Sequence, residues 1–161
     1  MYLIFDTETT GLPKKWNAPL TDSDNWPRCV QLSWQIHDQK GSLTSSRDYL
    51  IKPDGFKIPY DSENIHGIST ELAIQEGEGV NNVLNYFQDD LTKVDYIIGH
   101  NVKFDRNILG AEFLRKGKDD PFPALKIIDT CTEETANVCQ IKGGPRGRFK
   151  LPTLTELYFF L

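Results

Sequence analysis

The chain has 161 residues, which at roughly 150 residues per domain is one domain with room for a real core. Acidic residues outnumber basic ones by 23 to 18, so the net charge of −5 excludes a uniformly basic nucleic-acid coat, and any phosphate binding has to be local or metal-assisted. A composition of 39% hydrophobic and 25% charged residues is that of an ordinary globular fold, which excludes disorder and fibrous repeats.

No apolar stretch approaches the roughly 20 residues that cross a bilayer, and the N-terminus lacks a charged region followed by an apolar one. Cys29, Cys131 and Cys139 are odd in number and show no C-x-x-C spacing. They read as free thiols in a reducing compartment, which places the protein in the cytoplasm or nucleus, away from membranes.

Met1 to Phe5 is apolar on both faces and predicts a central strand that runs into a charged end at Asp6, Thr7 and Glu8. Residues 13–27 form a long polar loop carrying Lys14, Lys15, Trp16, Asp22, Asp24 and Trp26, and long loops of this kind are often functional. Val30, Leu32, Trp34 and Ile36 alternate with polar residues, and Leu43 to Ile51 is again extended, so three antiparallel strands open the domain. Asn64 to Ser69 reads as a helix entry capped by Ser69 or Thr70. Val80, Val83, Leu84, Phe87 and Leu91 recur at helical spacing, and Val94 to Ile98 is a short buried strand.

Gly99, His100 and Asn101 break that strand, and a helix follows to about Lys116. Leu125 to Ile128 predicts a fifth strand, leading through Asp129 into a helix with Thr130 and Glu133 as its capping pair. Residues 141–152 carry Lys142, Arg146, Arg148 and Lys150 with no acid, the one basic patch. From Leu151 a last helix begins, and the chain stops on apolar residues without a cap, which reads as a domain cut short at its C-terminus.

Side chains at i and i+2 of a strand share a face, so Asp6 and Glu8 present two neighbouring carboxylates at the strand end. Such a pair repels itself unless a proton or cation neutralises it. Asp105 falls in the first turn of the helix after Asn101, where the helix dipole alone favours an acid. Taken together the three can face one point, a hard-oxygen site suited to Mg²⁺ or Mn²⁺, and paired metals are a recurrent device for phosphodiester hydrolysis. Trp16 and Trp26 are either stacking surfaces for bases or loop anchors, whereas Trp34 belongs to the core.

Phe5-Asp6-Thr7-Glu8-Thr9-Thr10-Gly11-Leu12, followed by His100-Asn101-Val102-Lys103-Phe104-Asp105, resembles the first two motifs of the DEDD (DEDDh-type) 3′–5′ exonuclease superfamily. The similarity is to its DnaQ-like branch, of the DNA polymerase III epsilon subunit and ribonuclease T type, and it covers nearly the whole chain. It implies an α/β ribonuclease H-like fold, a mixed five-stranded sheet whose first three strands are antiparallel, flanked by helices. It also implies that Asp6, Glu8 and Asp105 are catalytic metal ligands for two Mg²⁺ or Mn²⁺ ions. Thr9, Leu12, His66, His100, Asn101 and Phe104 would contact substrate.

The implied activity is release of nucleoside 5′-monophosphates from the 3′ end of single-stranded DNA, with polymerase proofreading as one setting and a DNA polymerase as one partner. An exoribonuclease of the ribonuclease T or oligoribonuclease type is the alternative. The third family motif, a His and an Asp five positions apart, lies beyond the last helix in the family. The only such spacing here is His100 with Asp105, already part of the second motif. The expectation is therefore a single exonuclease domain over 1–161 that is truncated, or else a non-catalytic nucleic-acid-binding module.

Overall fold

A computed structural model describes residues 1–122 and 125–161. Five strands form one sheet: β1 (Tyr2–Thr9), β2 (Cys29–His37), β3 (Leu43–Leu50), β4 (Tyr96–Gly99) and β5 (Lys126–Asp129), in the order β3-β2-β1-β4-β5. β1 is antiparallel to β2, as is β2 to β3, while β4 and β5 run parallel to β1. The sheet is thus mixed with β1 at its centre, as expected, paired along one edge with β2 and along the other with β4. β1 extends through Thr9 and takes Asp6 and Glu8 into the strand, where the register with β2 shifts between Glu8 and Thr9.

Leu3, Phe5, Leu32, Trp34, Ile36 and Ile97 point to one side of the sheet. There they meet α3 (Val80–Leu91) and α4 (Val102–Arg115) through Val83, Leu84, Phe87, Ile108 and Leu109. The helical spacing of α3 turns Val80, Val83, Leu84, Phe87 and Leu91 to this core, and full burial of each such side chain contributes about 1.5–3 kcal/mol. Phe5, Trp34 and Phe122 surround Phe87 with ring centroids 5.3–6.1 Å away. The Trp34 indole N–H donates to buried Asp90 at 2.9 Å, so the polar edge of this core ring is satisfied.

Two local expectations are corrected. Asn64 to His66 is the end of a helix, α1 (Tyr60–His66), whose C-cap Gly67 takes φ 76°, a left-handed conformation that favours glycine. Ser69 does cap the next helix, α2 (Thr70–Glu76), its hydroxyl accepting from Leu72 N–H at 3.0 Å. The cap of α5 (Glu133–Cys139) is Thr132 with Thr135, two residues later than the sequence pattern indicated, because Thr130 is turned back to β4. α6 (Leu154–Phe160) opens with a capping box of Thr153 and Glu156.

Gly99 ends β4 and turns directly into α4. A Cβ at this position would lie 2.9 Å from Val102 Cγ2 and 3.0 Å from Val102 Cβ, so the turn closes only without a side chain. The three cysteines are free thiols, and no helix among the described residues is long and apolar enough to cross a membrane.

Candidate active site

β1 alternates, and this fixes the two faces of the site. Asp6 is exposed and Glu8 half-buried on one face, while Thr7 and Thr9 are buried on the other. The expected i, i+2 pairing of Asp6 with Glu8 is therefore present. Desolvation raises the Glu8 carboxyl above its ordinary range, repulsion from Asp6 raises it further, and His66 opposes both. Crowding by neighbouring atoms likewise raises Asp6, against a hydrogen bond from the Thr7 backbone and the attraction of His100.

Asp105 arrives from α4 and is only 4% exposed. The Thr7 N–H and hydroxyl both donate to its Oδ1, at 3.1 and 2.6 Å, which locks the carboxyl to the middle residue of the Asp6-Thr7-Glu8 run. Burial pushes Asp105 up to about 7, with repulsion from Asp6 adding to it and the Thr7 bonds only partly compensating. The three carboxyls thus sit in one electrostatic neighbourhood. Among the described residues no group of three or more His, Cys, Asp or Glu side chains closes on a single metal position. The donor chemistry fits a hard divalent cation at Asp6 and Glu8, whose mutual repulsion such an ion would relieve. A third ligand in the same cluster is not part of this arrangement.

His66 ends α1, and Ile68 N–H donates to its Nδ1 at 3.1 Å. Nδ1 is therefore the accepting nitrogen, and Nε2 is the one that carries an N–H. Nε2 is buried and, among the described residues, has no hydrogen-bond partner. His100 spans the other flank. Its Nε2 is 2.9 Å from the Pro152 carbonyl, an obligate acceptor, so this nitrogen also carries a proton. Its Nδ1 lies 3.0 Å from Thr130 Oγ1. His100 thereby ties the segment before α6 to the end of β4, beside a concavity of about 600 Å³ on the open sheet face that Asp6, Ser33, Gln35, Thr130 and Leu154 also line.

Asp129 is not the cap of its own following helix. Its Oδ1 accepts from Asn101 N–H at 2.8 Å and its Oδ2 from Val102 N–H at 3.1 Å, so it caps α4 from across the sheet. Asn101, the N-cap by position, sits in left-handed backbone at φ 60° and makes no side-chain cap bond, which leaves its amide exposed. Sequence reading missed this role, because the two residues are 28 positions apart.

The remaining predicted residues divide. The Thr9 hydroxyl donates to the Gly11 carbonyl at 2.7 Å, shaping the turn after β1. Leu12 is 72% exposed beyond that turn. Phe104 is half-buried against Trp16. Trp26 is an anchor, 3% exposed with its indole N–H on the Pro19 carbonyl at 3.1 Å. In the basic patch Arg148 pairs with Glu133 and Lys150 with Glu156, each at 2.7 Å, so half of its charge is neutralised.

No family model matches the chain. The PolC-type DNA polymerase III of Pediococcus pentosaceus is 29% identical over 162 residues, covering 98% of this chain and 10% of that polymerase. The Streptococcus suis PolC-type enzyme is 27% identical over 129 residues, 80% of this chain and 8% of its own. Among solved structures, E. coli exonuclease I in complex with a dT13 oligonucleotide superposes with a TM-score of 0.73 at 21% identity, covering 98% of this chain and 35% of that one. An ExoI/SSB-Ct complex gives 0.74 at 19% identity, 99% and 35%. The chain spans about a tenth of the polymerases and about a third of the exonuclease chains. The fold is the ribonuclease H-like fold of these exonuclease structures, and in sequence the chain is similar to PolC-type polymerases over most of its length.

Proposed function

We infer that this chain is a metal-dependent 3′–5′ exonuclease domain over 1–161, acting on single-stranded DNA and releasing nucleoside 5′-monophosphates. The observation that carries the reading is the placement of Asp6 and Glu8 on one face of β1, with Asp105 tied by two hydrogen bonds to Thr7 between them and both Glu8 and Asp105 repelled by Asp6. Such crowding is uncomfortable for a binding module and useful for a cation site. Similarity to polymerases and to an exonuclease solved with dT13 supports DNA over RNA as substrate and a DNA polymerase as partner. Three free thiols support a reducing, cytoplasmic setting.

Asp6 and Glu8 would hold Mg²⁺ or Mn²⁺, with Asp105 beside them and two ions in the complete site. The cation would supply Lewis-acid polarisation of the scissile phosphate and a nucleophilic water at neutral pH. Thr7 fixes the Asp105 carboxyl, and Asp129 fixes the helix that carries it. His66 would border the terminal nucleotide from the Glu8 side of the site. Thr9 sets the turn that presents Leu12 to the last base, while Phe104, His100 and Asn101 border the same end of the sheet.

The test is Mg²⁺-dependent digestion of 3′-labelled single-stranded DNA and RNA, with the products identified as 5′-monophosphates. Asp6→Ala should abolish release, and more than a few per cent of wild-type rate in that variant would refute the assignment. Strand binding by the wild type with no release would point instead to a non-catalytic nucleic-acid-binding module, and preference for RNA to the exoribonuclease alternative.

A further inference from the structure

Of the three tryptophans, Trp26 and Trp34 are 3% and 2% exposed, whereas Trp16 stays 50% exposed. A loose loop would fold so large an apolar ring against the body. This loop is held instead. Lys15 N–H donates to Asn25 Oδ1 at 2.7 Å, Asn25 Nδ2 donates back to the Lys15 carbonyl at 3.0 Å, and Lys14 N–H donates to the Asn25 carbonyl at 3.1 Å. Asn25 itself is buried. Further along, Arg115 of α4 donates to the carbonyls of Ser23 and Trp26, and Arg115 and Arg28 both pair with Glu112, which is fully buried.

The Trp16 ring leans on Phe104 at 5.9 Å between centroids and 51° between planes, and Phe104 adjoins Asp105 in the first turn of α4. The preceding Lys14 and Lys15 are exposed and, among the described residues, in no ion pair. A rigidly presented aromatic surface flanked by uncommitted cations is how proteins hold single strands without reading sequence: the ring takes a base and the charges take its phosphates.

We propose that Trp16 is a stacking platform for a nucleobase of the single strand whose 3′ end lies at Asp6 and Glu8, with Lys14 and Lys15 against the adjoining phosphates. The inference rests on the function stated above and adds a residue outside both sequence motifs. The Phe104 contact places the platform at the same first turn of α4 that carries Asp105, so the base it takes belongs near the 3′ end.

The experiment uses the 161-residue chain in Mg²⁺ and an oligothymidylate of about 12 nucleotides, a usual single-strand site size, with phosphorothioate linkages at its 3′ end to block turnover. Because the other two indoles are buried, quenching of tryptophan emission reports on Trp16. Affinity is read separately, from the anisotropy of a labelled strand. The expected result is binding with quenching, weakened roughly 5- to 150-fold in Trp16→Ala and largely kept in Trp16→Phe. Near-ultraviolet circular dichroism of the buried tryptophans checks that both variants fold. Wild-type binding with unchanged emission, and equal affinity in Trp16→Ala, would overturn the platform and leave the exonuclease reading standing. No binding by either probe would overturn both.

Discussion

Asp105 carries a pH dependence that the metal-free protein should display. Its carboxyl, raised to about 7 by burial, holds a proton in the folded state at pH values where the unfolded chain, with an ordinary value of 3.8, has released it. The native state then binds more protons than the unfolded one, so stability falls as pH rises between those two values. At about 1.4 kcal/mol per pH unit, the loss across the window is of the order of 3–4 kcal/mol. Urea titrations in EDTA from pH 4 to 8 should show this decline, and Asp105→Asn should flatten it. Added Mg²⁺ should also flatten it, since a cation beside Asp6 and Glu8 replaces the proton as the neutralising charge. A slope unchanged in Asp105→Asn would mean that another group carries it.

At the scale of elements, the start of α4 depends on a residue of β5. Removing a cap costs about 1–2 kcal/mol, and Asp129 supplies both of its oxygens to the first two N–H groups of this helix. Asp129→Ala should lower stability by about that amount and speed amide exchange at Asn101 and Val102. An unchanged exchange rate there would show that the cap is dispensable. The first two strands and α3 were legible in the sequence for different reasons: β1 by an unbroken apolar run, β2 by two-residue alternation, and α3 by the 3.6-residue spacing of Val80 to Leu91. Helix α1 was not, since it buries only Ser62 and has no apolar stripe; its usable signals were Pro59 ahead of two acids and Gly67 behind. In the site, the Asp6 and Glu8 pairing was legible because it is local. The bonds that orient it join Thr7 to Asp105 and Asp129 to Val102 across 98 and 27 positions, and no pattern along one chain records such contacts.

Across the whole molecule the sheet divides the work between its faces. One is sealed by α3 and α4, and the other stays open around Asp6 and His100. β1 and β4 run parallel, so their C-terminal ends open at the same side and bring the first strand's carboxyls next to the helix that follows the fourth. The gap between strand and helix is set where Gly99 leaves no space for a methyl group. An added Cβ would have to displace Val102 by a few tenths of an ångström, and the first turn of α4 with it. Gly99 therefore works as a spacer between the end of β4 and the first turn of α4, the turn that carries Asp105. Mg²⁺ demands near-ideal octahedral geometry at 2.0–2.1 Å, and larger divalent ions tolerate more. Gly99→Ala should then change ion preference more than it changes strand affinity, with activity falling further in Mg²⁺ than in Mn²⁺. Equal losses in both ions would show that the spacing serves packing alone. A position without a side chain would thus set the stance of the helix that brings the third carboxyl to the site.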